Sequence, residues 1–441
     1  MAQVSAARKA AFGILLSVER GDGHSDDLLR GESIARLSPV DRNLATALVL
    51  GVLRWQIALD AAIRPLLNKP NAKLDAEVLI ALRLGVFQLE HMDRIPVRAA
   101  IDESVELTKQ AGHRFASGMV NAVLRKLSAP SDRPRADGSD ASAYPAWMTD
   151  RWTLGFGQDV TCEICRYGQS QASVAVRLRT PDVGAELVSE GVKLAPGALL
   201  AGARLVVAGD VTATEAFRAG RVRIQDEGSQ LVAEIAGQGS AILDCCAAPG
   251  GKTMVLAERN PDATIVVSDV SPVRLDALRD RLKPLGDRVE CRLADATQLR
   301  YGAEFDLVLA DVPCSGTGTL GRNPEIRHRL TPAEFARQAE RQKLILSSAL
   351  RAAQPGGVVV YSTCSLEPEE NEQVIGAVLS DHATARVLSM KLRLEQMEAE
   401  GILIAGAAAK LNECIAPDGY LRLFPGMFGT DGFFVTRLQK S

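Results

Sequence analysis

The sequence predicts an α/β protein: a doubly wound parallel sheet preceded by an all-α region and a small α+β region. Three observations predict this order. Residues 226–441 alternate short apolar runs with helical stretches, as strands and helices alternate in a parallel sheet. Residues 1–130 instead show apolar side chains at i, i+3 and i+4 spacing, the period of helices. Residues 146–225 mix short strand-like and helix-like runs, after a predicted linker at residues 131–145 that is rich in Ser, Asp and Pro.

The predicted helical region is mildly basic. DRNLATALVLGVLRWQIALDAAIRPLL and DAEVLIALRLGVFQLEHM carry a helical period, and AAIDESVELTKQAGHRFASGMVNAVLRKL predicts two further helices. Residues 1–135 contain 19 Lys/Arg against 15 Asp/Glu, whereas the rest of the chain contains 32 against 39. Because the net charge of the whole chain is only −3, any contact with nucleic acid must come from local patches.

The predicted α+β region has the weakest pattern. SVAVRLRT, RLVVAG and RVRIQDEGS predict strands, and VGAELVSEGV predicts a helix. Cys162 and Cys165 form a C-x-x-C pair here, but no second Cys or His pair follows at zinc spacing. Packing on a helix is therefore favoured over a metal site, and no metal is predicted.

A glycine turn opens the predicted sheet. In ILDCCAAPGGKT an apolar run ends in Asp244 and is followed by Pro, Gly, Gly and a helical pattern. A phosphate-binding loop needs a glycine five residues before Gly251, but Cys246 stands there, and G-x-G-x-x-G is absent. Two interpretations remain: a turn that lets a different ligand approach the backbone, or a tight connection with no ligand.

Four further predicted strands end in polar residues. DATIVVSDVSP ends in Asp269 and RVECRLADATQL in Asp295, EFDLVLADVPCSGTG leads to Asp311 and Cys314, and GGVVVYSTCSLEPEENE leads to Cys364. The carboxyl ends of parallel strands share one edge of the sheet, where ligands bind. Asp269 lies about 20 residues after the glycine turn, which suits hydrogen bonds to ribose hydroxyls. The alternative for Asp269 and Asp295 is that they cap helices.

The C-terminal stretches predict the edge of the sheet. GYLRLFP and GFFVTRL predict an antiparallel hairpin. Residues from about 381 to 415 carry no recognisable motif.

These motifs resemble those of a known family. DCCAAPGGKT, DVPCSGTG, YSTCSLEPEENE, RIQDEGSQLVAE and DGFFVTRL are similar to the bacterial RsmB (Sun/Fmu) branch of the RsmB/NOP superfamily. Its members are S-adenosylmethionine-dependent ribosomal RNA cytosine-5 methyltransferases. The resemblance covers essentially the whole chain. It implies a Rossmann-type methyltransferase domain at residues 226–441, a NusB-like helical RNA-binding domain at residues 1–130, and a small RNA-facing α+β domain at residues 146–225.

The resemblance also implies a set of site residues. It places S-adenosylmethionine against Cys246, Ala247, Ala248, Pro249, Gly250, Gly251, Lys252, Asp269, Arg274, Asp295 and Asp311. It makes Cys364, Cys314 and Asp311 the catalytic residues.

The proposed chemistry explains why two cysteines are needed. Carbon 5 of cytosine is a poor nucleophile until a thiolate adds to carbon 6, which is covalent catalysis. Neighbouring parallel strands would bring Cys314 and Cys364 to ends about 5 Å apart, so that both could reach one base. The residues alone do not say which cysteine attacks. The resemblance assigns attack to Cys364 and release to Cys314, with Asp311 at the pyrimidine edge and Lys252 helping to position the base.

Other polar residues have simpler interpretations. Cys245, Cys291 and Cys414 are expected to be small buried hydrophobes. The acidic cluster Glu367, Glu369, Glu370 and Glu372 favours the start of a helix, although its charge would oppose thiolate formation at Cys364.

Partner and compartment follow from these points. The expected partner is 16S ribosomal RNA or the small-subunit particle, and the alternatives are the same chemistry on tRNA or a non-catalytic RNA-binding assembly factor. Arg54 and Asp60 interrupt the longest apolar stretch, so no membrane span is expected. Eight cysteines, two of them predicted to act as thiols, indicate a reducing compartment. We therefore expect a cytoplasmic enzyme, as a monomer.

Overall fold

The computed structural model describes residues 4–71, 73–129, 140–382 and 384–441. Residues 131–139 of the predicted linker lie outside the described residues. The chain divides into two compact units. One is Met1–Gln171 together with Leu320–Arg329, and the other is Ala172–Thr319 together with Leu330–Ser441.

The first unit is helical, as predicted. Its helices are α1 Ala6–Arg20, α2 Ser25–Leu29, α3 Glu32–Ala35, α4 Pro39–Ile63, α5 Ala76–His91, α6 Val97–Gln110, α7 Ser117–Ser128, α8 Ala146–Phe156, α9 Gln158–Gln169 and α15 Ile326–Arg329. The apolar faces of α1 to α7 form one core that includes Leu48, Leu82 and Leu124. Ser38 caps α4, because its hydroxyl accepts a hydrogen bond from the Asp41 N–H at 3.2 Å.

Helix α4 is unusually long and apolar. With the turn that follows it, Pro39–Leu66 is long and apolar enough to cross a membrane, so the expectation that no stretch would qualify is wrong on that point. Half of its most apolar window is buried inside the protein, and Leu48, Val52 and Leu59 lie in the helical core. Because core helices pass the same test of length and composition, a single such helix is weak evidence for a membrane.

A ten-residue segment, Leu320–Arg329, belongs to the helical unit although its neighbours in the chain do not. The guanidinium of Arg327 lies 3.8 Å from the centre of the Tyr144 ring and donates to the Ala143 and Gly168 carbonyls, both at 3.3 Å. Glu325 accepts hydrogen bonds from both the N–H and the hydroxyl of Ser25. The segment is thus held by buried polar contacts that its own sequence does not predict.

The second unit begins with a small antiparallel sheet. Its elements are β1 Ala175–Leu178, α10 Val183–Ser189, β2 Lys193–Pro196, β3 Ala203–Ala208, α11 Glu215–Arg218 and β4 Val222–Ile224, with the strand order β2-β3-β1-β4. The predicted strands and helix are present. Helices α8 and α9, which the predicted boundary at residue 146 groups with this sheet, pack with the helical unit instead, and the domain boundaries stay a prediction.

The larger sheet is the predicted doubly wound one. Its elements are α12 Glu227–Ala236, β5 Ala241–Asp244, α13 Gly251–Arg259, β6 Thr264–Asp269, α14 Pro272–Leu282, β7 Val289–Leu293, β8 Phe305–Asp311, α16 Pro332–Ala352, β9 Ala353–Thr363, α17 Glu372–Asp381, β10 Ala385–Val387, α18 Met390–Ala399, α19 Ala407–Asn412, β11 Leu421–Leu423 and β12 Phe433–Lys440. The order is β10-β12-β9-β8-β5-β6-β7, with β11 beside β12. Strands β5 to β9 are parallel, whereas β12 runs antiparallel to β9, β10 and β11.

Helices cover both faces of this sheet. Leu307 and Leu309 of β8 pack into one apolar cluster, whereas Val308 and Ala310 pack into the other. This alternation accounts for the continuous apolar run in the sequence. The strand order reverses between β5 and β8, so the ends of these two strands flank the crevice where such sheets bind ligands. Strand β10 lies in the stretch that carried no motif.

Candidate active site

The glycine turn after β5 forms a tight passage to α13. Gly250 has a φ of 97°, which favours glycine, and a Cβ there would lie 2.6 Å from the Leu278 side chain. The start of the turn is fixed to both neighbouring strands: the Cys245 N–H donates to the Leu309 carbonyl and the Ala247 N–H to the Ser268 carbonyl. The peptide bond between Ala248 and Pro249 is cis. The turn therefore presents bare backbone at the start of α13.

Two predicted carboxylates lie at the ends of β6 and β7, on one side of this turn. Asp269 accepts a hydrogen bond from the Ser271 N–H at 2.9 Å, and Asp295 accepts one from the Thr297 N–H at 2.9 Å. These local bonds lower the pKa of Asp295. Both residues thus cap a local turn, as one interpretation of the sequence held, and each does so mainly with Oδ1. Capping and ligand binding are compatible roles here.

Arg274 joins the turn to the first of these carboxylates. Its Nη2 lies 3.4 Å from Oδ2 of Asp269 and donates to the Ala248 carbonyl at 2.8 Å. Arg274, on α14, therefore connects the glycine turn to the carboxylate of Asp269. Apolar side chains beside Asp269 are exposed: the next residue, Val270, is 50% exposed, and Leu293, which lies opposite Asp269 on β7, is 56% exposed. An edge with carboxylates, bare backbone and open apolar surface fits a nucleoside.

A partly buried ion pair lies on the other side of the turn, between Lys252 on α13 and Asp311 at the end of β8. The ammonium of Lys252 donates to Oδ2 of Asp311 at 2.7 Å, and the Ser362 hydroxyl donates to Oδ1 at 2.7 Å. Burial lowers the pKa of Lys252, but the Asp311 charge outweighs it and the pKa is raised overall, with Cys364 adding to the rise. Lys252 is therefore a fixed cation whose field reaches Cys364.

The two predicted cysteines are in contact. The sulfur of Cys314 lies 3.4 Å from that of Cys364. The prediction of neighbouring strands is confirmed, because β8 and β9 are parallel with Asp311 opposite Ser362. The Cys364 thiol and burial raise the pKa of Cys314 well above the ordinary value, and Glu370 adds to the rise. Cys314 therefore holds its proton.

Sequence reasoning missed one residue beside the cysteines. Glu370, interpreted only as part of a helix start, is fully buried in the turn Pro368–Glu370 and accepts hydrogen bonds from Ser315 and Ser365, the residues that follow the two cysteines. The available signal was its position six residues after Cys364, in a segment otherwise dense in Ser and Glu.

The remaining cysteines lie away from this contact. Cys245 is buried, whereas Cys291 and Cys414 are only partly buried against the core of the larger sheet. Cys162 and Cys165 lie on α9, as the helix interpretation predicted. Within residues 4–71, 73–129, 140–382 and 384–441, no three His, Cys, Asp or Glu side chains cluster as metal ligands.

A doubly wound sheet with an antiparallel C-terminal strand, a glycine turn after β5 and acidic ends on β6 and β7 defines the class as a Rossmann-type methyltransferase. Residues 235–439 match the model of the family described as 16S rRNA methyltransferase RsmB/F, and residues 5–129 match the NusB family. The chain belongs to the RsmB/F methyltransferase family and carries a NusB-like helical domain.

Full-length relatives agree with this assignment. A probable ribosomal RNA small subunit methyltransferase B of Bacillus subtilis is 32% identical, with 98% of each chain covered. One of Synechocystis sp. is 31% identical, with 99% of each chain covered. The crystal structure titled PH0851 aligns over 100% of both chains with a TM-score of 0.80; at 23% identity this similarity supports the fold alone.

Proposed function

We propose that this protein transfers a methyl group from S-adenosylmethionine to carbon 5 of a cytosine in 16S ribosomal RNA, through a covalent bond between Cys364 and the base. The observation that carries the proposal is the pair of thiols 3.4 Å apart, beside the ion pair of Lys252 and Asp311. Family membership supports the broader activity, an S-adenosylmethionine-dependent RNA methyltransferase.

The cofactor site of this proposal is the glycine turn with its two acidic neighbours. Residues 246–252 would pass along the methionine part, and Asp269 would accept hydrogen bonds from the ribose hydroxyls. Asp295, beside the exposed Leu293, suits the adenine edge. The residues fit the group because Gly250 keeps the backbone bare and the carboxylates suit a cationic ligand. When bound, S-adenosylmethionine supplies an electrophilic methyl group.

The base is activated by Cys364 in this proposal. Its thiolate adds to carbon 6 of cytosine, a C–S bond forms, and the electron pair moves to carbon 5, which accepts the methyl group. As carbon 5 accepts the methyl group, the bond between that methyl group and the sulfonium sulfur breaks and S-adenosylhomocysteine is left. Carbon 5 then loses its proton to water, the electron pair of that C–H bond restores the double bond between carbons 5 and 6, the C–S bond breaks, and Cys364 leaves as a thiolate. The charge of the Lys252 ammonium acts on Cys364, and a cation beside a cysteine is a common means of activating it.

Asp311 and Cys314 complete the proposed catalytic set. Asp311, held by Lys252 and Ser362, would accept hydrogen bonds from the pyrimidine edge and support charge on the ring. Cys314 keeps its proton beside Cys364, so it can donate a hydrogen bond to the departing thiolate. Assigning release to Cys314 is thus consistent with its chemistry.

The helical unit is proposed to hold the RNA. The turn between α6 and α7 of its NusB-like region carries an exposed aromatic side chain, because Phe115 is fully exposed and the adjacent Arg114 is also exposed. Aromatic side chains beside basic ones are typical of single-stranded RNA sites, where bases stack. A monomer in the cytoplasm remains our expectation for this enzyme.

Bisulfite sequencing of total RNA tests the function. A strain without this gene should lose one bisulfite-resistant cytosine in 16S RNA, and the wild-type gene should restore it. Loss of a resistant cytosine in tRNA instead would favour the tRNA alternative. If no cytosine changes in any RNA while ribosome assembly is impaired, the protein is a non-catalytic assembly factor.

Restoring variant genes to the same deletion strain tests RNA binding by the helical unit separately from the methyl transfer reaction. A chain with Phe115→Ala and Arg114→Ala should restore methylation only partially, because stacking of one base on an aromatic side chain contributes about 1–3 kcal/mol. Leu154→Ala is the matched control, since Leu154 is also exposed in the helical unit but has no predicted role. If the Phe115→Ala, Arg114→Ala variant restores methylation as fully as Leu154→Ala does, the RNA does not bind at Phe115 and Arg114.

Asp269→Ala should weaken binding of S-adenosylmethionine by about 1–3 kcal/mol, a factor of roughly 5 to 150 in Kd, because the ribose hydroxyls lose a charged acceptor. Isothermal titration calorimetry measures this directly. Asp276→Ala is the control, since Asp276 on the neighbouring α14 makes a surface ion pair with Arg279. Unchanged affinity in a folded Asp269→Ala protein would rule out the ribose role.

A further inference from the structure

Glu370 is a buried carboxylate in contact with both cysteine loops. It lies six residues after Cys364 and is fully buried. Its Oε1 accepts from the Ser315 N–H at 2.8 Å and from the Gln342 amide at 3.1 Å. Its Oε2 accepts from the hydroxyls of Ser315 and Ser365.

These four donors match the ionised form. A carboxylate accepts at both oxygens and donates nowhere, so four convergent donors match it better than a protonated acid. Burial raises the pKa of Glu370, and the hydrogen bonds from Ser315, Ser365 and Gln342 oppose that rise. The Gln342 amide also donates to the Pro313 carbonyl at 3.0 Å, which fixes the residue before Cys314.

Other contacts already join the two loops. The Gly318 N–H donates to the Cys364 carbonyl at 2.8 Å, and the Leu366 N–H donates to the Thr317 hydroxyl at 2.9 Å. Within the Cys364 loop, Oδ1 of Asn371 accepts a hydrogen bond from the Thr363 hydroxyl at 2.6 Å. The loops therefore remain connected without the Glu370 charge, so that a neutral replacement tests the charge rather than the fold.

The surroundings of the thiols carry charge unevenly. Several titratable groups surround the pair: Lys252 on α13, which interacts with Asp311 on β8 and with Asp244 at the end of β5, Tyr361 on β9, and Glu370. Lys252 acts on Cys364, whereas Glu370 acts on Cys314. A cation near one sulfur and an anion near the other favour opposite protonation states.

We propose that Glu370 is a positioning residue that holds the Cys314 and Cys364 loops in register and keeps the shared proton on Cys314, so that Cys364 is the thiolate. Glu370 does not touch the base in this proposal; it acts through Ser315, Ser365 and Cys314. The consequence for turnover rests on the proposed function, whereas the consequence for thiol ionisation does not. The two are therefore measured separately.

The first experiment follows alkylation of each cysteine. The full-length protein is treated with iodoacetamide across pH 6 to 10, and modification of Cys314 and Cys364 is followed by peptide mass spectrometry, because the thiolate is the reactive form. In the wild-type protein Cys364 should react at lower pH than Cys314. In Glu370→Gln the Cys314 midpoint should fall by about one pH unit, a factor of about ten in thiolate at fixed pH.

Two variants control for structure. Glu372→Gln makes the same change two residues away, where the carboxylate binds Arg422, and should leave the Cys314 midpoint unchanged. Glu370→Asp keeps the charge on a shorter side chain and should restore most of the wild-type midpoint. An unchanged Cys314 midpoint in a folded Glu370→Gln protein overturns the proposal, as does an equal fall in Glu372→Gln.

The second experiment measures methylation of 16S RNA across the same pH range. In the pH profile of kcat, the fall of activity at alkaline pH should begin about one pH unit lower in Glu370→Gln than in wild type. The KM for RNA should stay within about twofold of wild type. A kcat lowered equally at every pH would make Glu370 a structural residue only. An inactive wild-type protein whose Cys314 midpoint still responds to Glu370→Gln would instead count against the proposed function.

Discussion

Cys314→Ser should accumulate an enzyme–RNA adduct that survives denaturing electrophoresis, whereas Cys364→Ser should form no adduct and show no activity. The two thiols differ in their surroundings, although their sulfurs are only 3.4 Å apart. An ordinary thiol with a pKa of about 8.5 is only a few per cent thiolate at pH 7, so the attacking cysteine needs help. Lys252 offers that help to Cys364, and a serine hydroxyl cannot replace the thiolate.

Trapping follows from what Cys314 does late in the cycle. In Cys314→Ser, attack by Cys364 and methyl transfer remain available, but the departing thiolate loses a polarisable thiol beside it. Loss of the carbon 5 proton and expulsion of Cys364 should therefore slow, and the covalent species should persist. The measurement uses radiolabelled 16S RNA with S-adenosylmethionine, followed by denaturing gels.

Three controls define the result. The double variant Cys314→Ser, Cys364→Ser should form no adduct, since the nucleophile is gone. Cys414→Ser, at a partly buried position of the larger sheet's core, should behave as wild type. Trapping by Cys364→Ser instead would reverse the roles of the two cysteines. Full activity without adduct in both single variants would show that the covalent mechanism is wrong.

The sequence predicts the parts of this site that have local signals. Asp269, Asp295 and Asp311 each end an apolar run, and parallel strands carry their ends to one edge. The contact between Cys314 and Cys364 follows from the same rule, because β8 and β9 are neighbours. Periodicity and strand order therefore suffice to place these residues within one crevice.

Features that depend on distant packing could not be predicted in this way. Glu370 follows a strand in a run of acidic residues, and only the fold brings Ser315 and Ser365 onto its carboxylate. Leu320–Arg329 has an ordinary polar sequence, yet Arg327 is buried against Tyr144 in the helical unit. Buried charges carry little hydropathic signal, because their partners lie far away in the chain.

Asp311→Asn should lower kcat for RNA methylation by about 10²–10⁴-fold at saturating S-adenosylmethionine, the usual contribution of a positioned acid or base. Asn keeps the shape and the hydrogen bond from Ser362, but it removes the carboxylate that pairs with Lys252 at 2.7 Å. The partly buried ammonium then lacks its counter-charge, and the pyrimidine edge loses its anionic acceptor. Adduct formation should fall in parallel, because attack precedes methyl transfer.

A substitution at the other end of the same strand isolates this effect. Asp306 on β8 accepts hydrogen bonds from the N–H groups of Ser240 and Ala241, at the end of the strand opposite Asp311. The two residues are about 17 Å apart along the strand, at roughly 3.3 Å per residue. Asp306→Asn should therefore leave kcat within about threefold of wild type, even if it lowers the melting temperature. If Asp311→Asn also retains kcat within threefold, Asp311 is not the group that supports charge on the ring.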